Sequence, residues 1–202
     1  MRIIEKLKSL QHNDSLYVEQ VKTYKIFRYD VSKEIDLDKI RKASNQYRVD
    51  FPKKFVSHVK TSSGWRSDYY IHKNTDSFNS LFNLATQKLI LSDDRNIPLQ
   101  FYKLIHSWLI HYGKGDLTPY HHHLKPPIFF SATFYLDKSQ TPIVFENNQK
   151  ENLEIYPNAG TLLIWPAMVR HMVPKCVDDL RTVIGMNFGL YVTEEASQVD
   201  AY

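Results

Sequence analysis

Three consecutive histidines, His121, His122 and His123, sit mid-chain between strand-like segments. Imidazole is the commonest protein metal ligand. In an extended segment successive side chains point to opposite faces, so His121 and His123 share a face and His122 points away. A third ligand from a distant strand would close a three-ligand face and leave positions open for substrate, as a catalytic metal site requires. The bland alternative is a solvated, fortuitous histidine run, though its place between strands rules out a purification tag.

His171 is the candidate third ligand. It follows the turn Pro157-Asn158-Ala159-Gly160, where the chain doubles back as antiparallel strands require. Three imidazoles, or two with a carboxylate, would occupy one face of an iron ion, the other face taking oxygen and a bidentate co-substrate. A half-buried histidine bonded to backbone is the structural alternative. Ten residues on, Arg181 heads the apolar run RTVIGMNF. An arginine at the start of a buried strand is costly unless it meets an anion. That anion is either Asp178 or Asp179 in an ion pair, or a bound carboxylate, which the guanidinium fork suits.

Strands must position these groups. Residues 104–112 (LIHSWLIHY), 128–136 (IFFSATFYL), 143–146, 161–165, 169–173 and 181–191 read as short strands separated by turn residues. In the second of these, Phe130, Ala132 and Phe134 lie on one face and Phe129, Ser131, Thr133 and Tyr135 on the other. Earlier in the chain, residues 3–10, 36–47 and 77–91 carry helical apolar spacing, with Asp36 placed to cap the second. Residues 21–31 alternate as a strand, 51–67 are irregular, and 69–72 suit a short strand. Helices first and strands later predict an α+β fold, a small barrel or sandwich braced by N-terminal helices.

The chain has 202 residues, enough for one domain with a substantial core. The expected division is a helix-rich supporting part over 1–100 and a barrel core over 101–192. Aromatic content of 13% favours a sheet-rich interior. A net charge of +4, scattered rather than massed, gives no positive indication of nucleic-acid binding. The single cysteine, Cys176, excludes an internal disulfide and any thiolate metal cluster, so a transition metal must use histidine and carboxylate. Neither a secretory signal nor a run of about 18 apolar residues is present, so a soluble cytoplasmic protein is expected.

Several pieces occur in a fixed order: Gly64-Trp65-x-Ser67; Trp108; Gly115-x5-His121-x-His123; Ser131-Ala-Thr-Phe-Tyr135-Leu; Pro157-x2-Gly160-Thr-Leu; Trp165-Pro166-x4-His171-x-Val-Pro174; and Arg181 with Asn187-Phe188. This set, over residues 60–190, resembles the Fe(II)/2-oxoglutarate-dependent oxygenase superfamily. It is most similar to the group of uncharacterised 2-oxoglutarate–iron oxygenases. The resemblance implies a double-stranded β-helix, a jelly-roll-like barrel with the metal at its open end. It implies Fe(II) on His121, His123 and His171, and 2-oxoglutarate chelating the iron. Arg181 would hold the far carboxylate, aided by Tyr112, Ser131, Thr133, Tyr135 and Asn187. The implied reaction uses O2, releases succinate and CO2, and hydroxylates an unidentified substrate, with a protein or amino acid favoured by analogy.

The sequence departs from that superfamily twice. Members usually carry His-x-Asp or His-x-Glu where this chain has His121-x-His123, which leaves His122, Asp116 or Glu146 open as the third ligand. A serine common two residues after the arginine is Val183 here. Trp65, Arg66, Tyr69 and Tyr70 are the expected mouth of the site. Two other readings stand beside the first: a cupin-like three-histidine dioxygenase that needs no 2-oxoglutarate, and a non-catalytic metal-binding barrel.

Overall fold

The computed structural model describes residues 16–21, 24–52, 62–95, 97–147 and 151–190. The helix expected over 3–10 lies outside the described residues. Eleven strands form two wholly antiparallel sheets among these residues. They are β1 (Leu16–Val21), β2 (Tyr24–Asp30), β3 (Trp65–Arg66), β4 (Tyr102–Tyr112), β5 (Thr118–His121), β6 (Ile128–Tyr135), β7 (Ile143–Phe145), β8 (Leu153–Ile155), β9 (Thr161–Pro166), β10 (His171–Val173) and β11 (Arg181–Leu190). The major sheet runs β1-β2-β9-β6-β11-β4-β3 and the minor sheet β5-β10-β7-β8.

The two-residue period of the strands sorts the interior into two layers. Phe130, Ala132 and Phe134 of β6 and Ile184, Met186 and Phe188 of β11 face the helices. The alternate positions, Tyr135, Val183 and Leu163, face Ile143, Phe145 and Val173 of the minor sheet. β11 is central and covered on both sides, which is why its sequence is apolar without alternation.

Two helices form the outer layer: α1 (Leu37–Asp50) and α3 (Asn79–Ser92). Asp36 caps α1 by accepting from Lys39 N–H at 2.9 Å, as its sequence position implies. Its buried face is Ile40, Ser44 and Tyr47, and α3 buries Leu81, Phe82, Ala85 and Leu89 against the same core. No helix among the described residues is long and apolar enough to cross a membrane.

Two local readings change. Residues 69–72 do not form a strand: α2 (Ile71–Asn74) is a single helical turn, and Tyr70 makes only an isolated bridge to Ser107. Side chains take the local N–H groups there. Asp68 accepts from Tyr70 N–H at 3.0 Å and Ser107 Oγ from His72 N–H at 3.0 Å, so no ladder is available. The division at residue 100 also differs in kind, because β1, β2 and β3 from the first half belong to the major sheet.

Gly160 opens β9 at φ +85°, where a Cβ would come within 2.6–2.9 Å of Ser32. This tight turn returns the chain toward β10 and its histidine.

Candidate metal centre

The minor sheet brings the histidines together. His171 lies opposite His121 in the β5–β10 ladder. The ladder stops at His121, and beyond it His123 N–H donates to Ala167 C=O at 2.9 Å. The alternation persists: the His121–His171, His121–His123 and His123–His171 ring centroids lie 4.3, 4.9 and 5.1 Å apart, while His122 is exposed. One ring nitrogen from each of His121, His123 and His171 lies within 4.8 Å of the others.

The environment keeps these rings neutral. Burial lowers the pKa of His121 to about 4, partly opposed by its bond to the Pro119 carbonyl. Burial also holds His123 and His171 well below the usual histidine range, with His171 and His121 adding to it at His123 and His121 at His171. Nδ1 of His121 meets Pro119 C=O at 2.9 Å and Nδ1 of His171 meets Val169 C=O at 3.1 Å. Donation from Nδ1–H to a carbonyl fixes the tautomer and leaves Nε2 with the lone pair, the usual arrangement of ligating histidines. Three neutral nitrogen donors on one side of a cavity fit a divalent transition metal.

Arg181 shares that cavity with His121, His123 and His171. It is 1% exposed. Its guanidinium carbon lies 5.6 Å from the Tyr112 ring centroid and 5.3 Å from that of Tyr135. None of its three nitrogens has a hydrogen-bond partner within 3.5 Å, so the Tyr135 hydroxyl makes at most a marginal contact. Burial pushes Tyr135 up to about 12, and the Arg181 charge pulls it partly back. Neither nearby aspartate pairs with the arginine. Asp178 is engaged by Ser139 Oγ at 2.6 Å, Gln140 N at 2.9 Å and Thr141 Oγ1 at 2.8 Å, and no ion pair joins Arg181 to Asp179 among the described residues. A buried cation without an anion is costly, and its setting fits a bound carboxylate.

No protein-family model matches the chain, and no curated protein matches it in sequence. Solved structures match its fold. A prolyl-4-hydroxylase of Pseudomonas putida superposes with a TM-score of 0.62 at 13% identity, covering 95% of this chain and 100% of that one. A prolyl hydroxylase of Trichoplax adhaerens, in complex with a hypoxia inducible factor oxygen degradation domain peptide fragment, gives 0.63 at 10% identity, with 100% and 94% covered. HygX from Streptomyces hygroscopicus, with nickel and 2-oxoglutarate bound, gives 0.57 at 11% identity, with 85% and 88% covered. The fold is that of the 2-oxoglutarate–iron oxygenases. At these identities the likeness is one of fold, and the double-stranded β-helix is the architecture it shares.

Within this barrel the remaining sequence candidates divide. Tyr112, Thr133 and Tyr135 line the cavity of Arg181, and so does Val183 at the position where a serine is common. Ser131 does not line it: its hydroxyl donates to Asn187 Oδ1 at 2.9 Å across the β6–β11 ladder. Asn187 lines a second, outer cavity that shares Arg66, His121 and His123 with the inner one. The inner cavity holds about 40 Å³ and the outer about 530 Å³.

The carboxylates left open as ligands are engaged elsewhere. Asp116 accepts from Gly113 N–H at 2.8 Å, and Glu146 pairs with Arg170 at 2.7 Å. Neither joins the cluster, and no carboxylate stands within it among the described residues.

The mouth differs by one residue from expectation. Arg66, Tyr69 and Tyr70 line the outer cavity. Trp65 turns the other way, its ring 5.3 Å from that of His111 and its indole N–H donating to Pro52 C=O at 3.3 Å. Strand parity explains this, since neighbouring residues of β3 point to opposite faces. The same parity exposes a neighbour that had no assigned role. Trp108 lies four residues before Tyr112 on β4, hence on the same face, and its ring sits 5.5 Å from His123.

Proposed function

We propose that the protein is an Fe(II)- and 2-oxoglutarate-dependent oxygenase that hydroxylates its substrate. The observation that carries this reading is the pairing, in one cavity, of three neutral imidazoles with a buried guanidinium that lacks an anion. A metal-only barrel has no use for Arg181, whose burial is tolerable only with a carboxylate.

His121, His123 and His171 would hold the metal. When bound, iron with 2-oxoglutarate supplies oxygen activation with release of succinate and CO2. Arg181 binds the far carboxylate through its fork of donors. Tyr112 and Tyr135 fix the guanidinium by packing on it, which holds the fork before the ligand arrives. Val183 and Ile143 keep water from that end of the cavity. All three proposed ligands are neutral, so the full metal charge faces the cavity and favours an anionic co-substrate.

The test is an anaerobic titration of Fe(II)-loaded protein with 2-oxoglutarate, followed by visible absorption. A weak charge-transfer band that disappears in Arg181→Ala is expected. Iron bound without any band would favour a three-histidine dioxygenase that does not use 2-oxoglutarate.

A further inference from the structure

The oxygenase reading leaves a second buried cation unused. Arg66 is 8% exposed and lines both cavities, which it shares with His121 and His123. β3 fixes its backbone opposite Ile110 of β4. Its guanidinium carbon lies 5.1 Å from the ring centroids of both Tyr69 and Trp108, and Nη1 donates to the Tyr69 hydroxyl at 3.3 Å. It is therefore a held cation at the edge of the metal cluster.

The rest of the outer cavity has the same sign. Lys125 is its other charged lining residue, and no aspartate or glutamate lines it among the described residues. A neighbouring hollow shares Tyr70 and His106 and adds Lys73 and Lys103. Clefts lined by one sign of charge concentrate ligands of the opposite sign. Tyr69 and Tyr70 offer ring surface beside these cations, and the cavity volume of about 530 Å³ lies within the small-molecule range.

We infer that the substrate is a small molecule bearing a carboxylate or phosphate, and that Arg66, which lines both cavities, holds this group. This rests on the oxygenase reading, with Arg181 serving the co-substrate and Arg66 the substrate.

Paired probes test it by isothermal titration on zinc-loaded protein, with and without 2-oxoglutarate. The pairs are 4-hydroxyphenylacetate with its amide, and adenosine monophosphate with adenosine; the preferred pair distinguishes carboxylate from phosphate. At least one anionic probe should bind about tenfold or more tighter than its neutral twin, a difference of about 1.4 kcal/mol. Arg66→Gln should abolish that preference and Arg66→Lys retain part of it, while 2-oxoglutarate affinity stays within about twofold in both, since Arg66 is assigned no bond to it. Lys125→Gln, at an exposed position, should weaken the anionic probe alone and covers the case in which Arg66 variants fail to fold. Equal binding of the twins overturns the inference. So does loss of 2-oxoglutarate affinity in Arg66→Gln, or tighter binding of oligo-dT or a glutamate-rich peptide than of any small probe. Failure of the wild-type protein to bind 2-oxoglutarate would sink the oxygenase reading instead, leaving the anion preference as a separate result.

Discussion

Gly185 lies directly opposite Trp108 in the β4–β11 ladder, and a Cβ at 185 would overlap the Trp108 indole. The glycine makes room for a ring that backs His123 and stacks with Arg66. Gly185→Ala should therefore displace Trp108 and cost about 1–3 kcal/mol by overpacking. Urea denaturation reads the stability, and competition with a chromogenic chelator reads the metal affinity, which should fall as well. An unchanged urea midpoint would mean that Trp108 moves aside freely and does not brace the site.

The parts of this site that strand parity governs were legible in the sequence. His121 and His123 share a face with His122 outside, and the two faces of β6 separate as the alternation predicts. Arg181 at the head of an apolar strand signalled a buried cation, and it is one. What the sequence hid depends on distant partners. Ser131 looked equivalent to Thr133 and Tyr135, yet Asn187 on a neighbouring strand takes its hydroxyl. Trp65 and Arg66 are adjacent, and only pairing with β4 decides which of them enters the cavity. The one-turn α2 escaped because Asp68 and Ser107 hydrogen bonds, not apolar spacing, shape it.

Arg181 has opposite effects on the free and liganded protein. A buried cation without an anion destabilises the apoprotein, so Arg181→Met should raise apo stability by about 1–4 kcal/mol. The wild type should gain thermal stability on adding zinc with 2-oxoglutarate, because a ligand of the folded state shifts unfolding by mass action. Arg181→Met should keep the zinc increment and lose the 2-oxoglutarate increment. Differential scanning fluorimetry with each ligand alone and together separates the two. A 2-oxoglutarate increment that survives in the variant would remove Arg181 from the co-substrate's carboxylate.

His111 makes a pH prediction away from the metal cluster. Burial, then the Arg48 charge, lowers its pKa to about 4, and its Nε2 has no partner. Between the unfolded value near 6.5 and the folded value, the unfolded chain binds the extra proton. Stability therefore rises with pH across this window: the contribution is complete above pH 6.5 and is lost as pH falls toward 4. One such group adds a slope of up to about 1.4 kcal/mol per pH unit. Urea midpoints of metal-free protein at pH 4.5 to 7 should fall with acid, and His111→Phe should flatten the slope by about one proton. An identical slope in the variant would show that His111 is protonated in the native state.

His121 and His122 are neighbours whose substitution should differ sharply. His121 faces His171 across the β5–β10 ladder and gives Nδ1 to Pro119, so its other nitrogen is aimed by two constraints. His122 is exposed, and it lines only the outer cavity. His121→Ala removes one of three nitrogen donors and should lower metal affinity by more than the about 10–100-fold lost with an outer partner. His122→Ala should leave metal content after dialysis at the wild-type level, with circular dichroism confirming that both variants are folded. Metal loss from His122→Ala with retention in His121→Ala would mean that the extended stretch is shifted by one residue, since a one-residue slip exchanges the faces of the chain. His122 would then replace both of its neighbours in the cluster, and two donors would remain where the proposed site needs three.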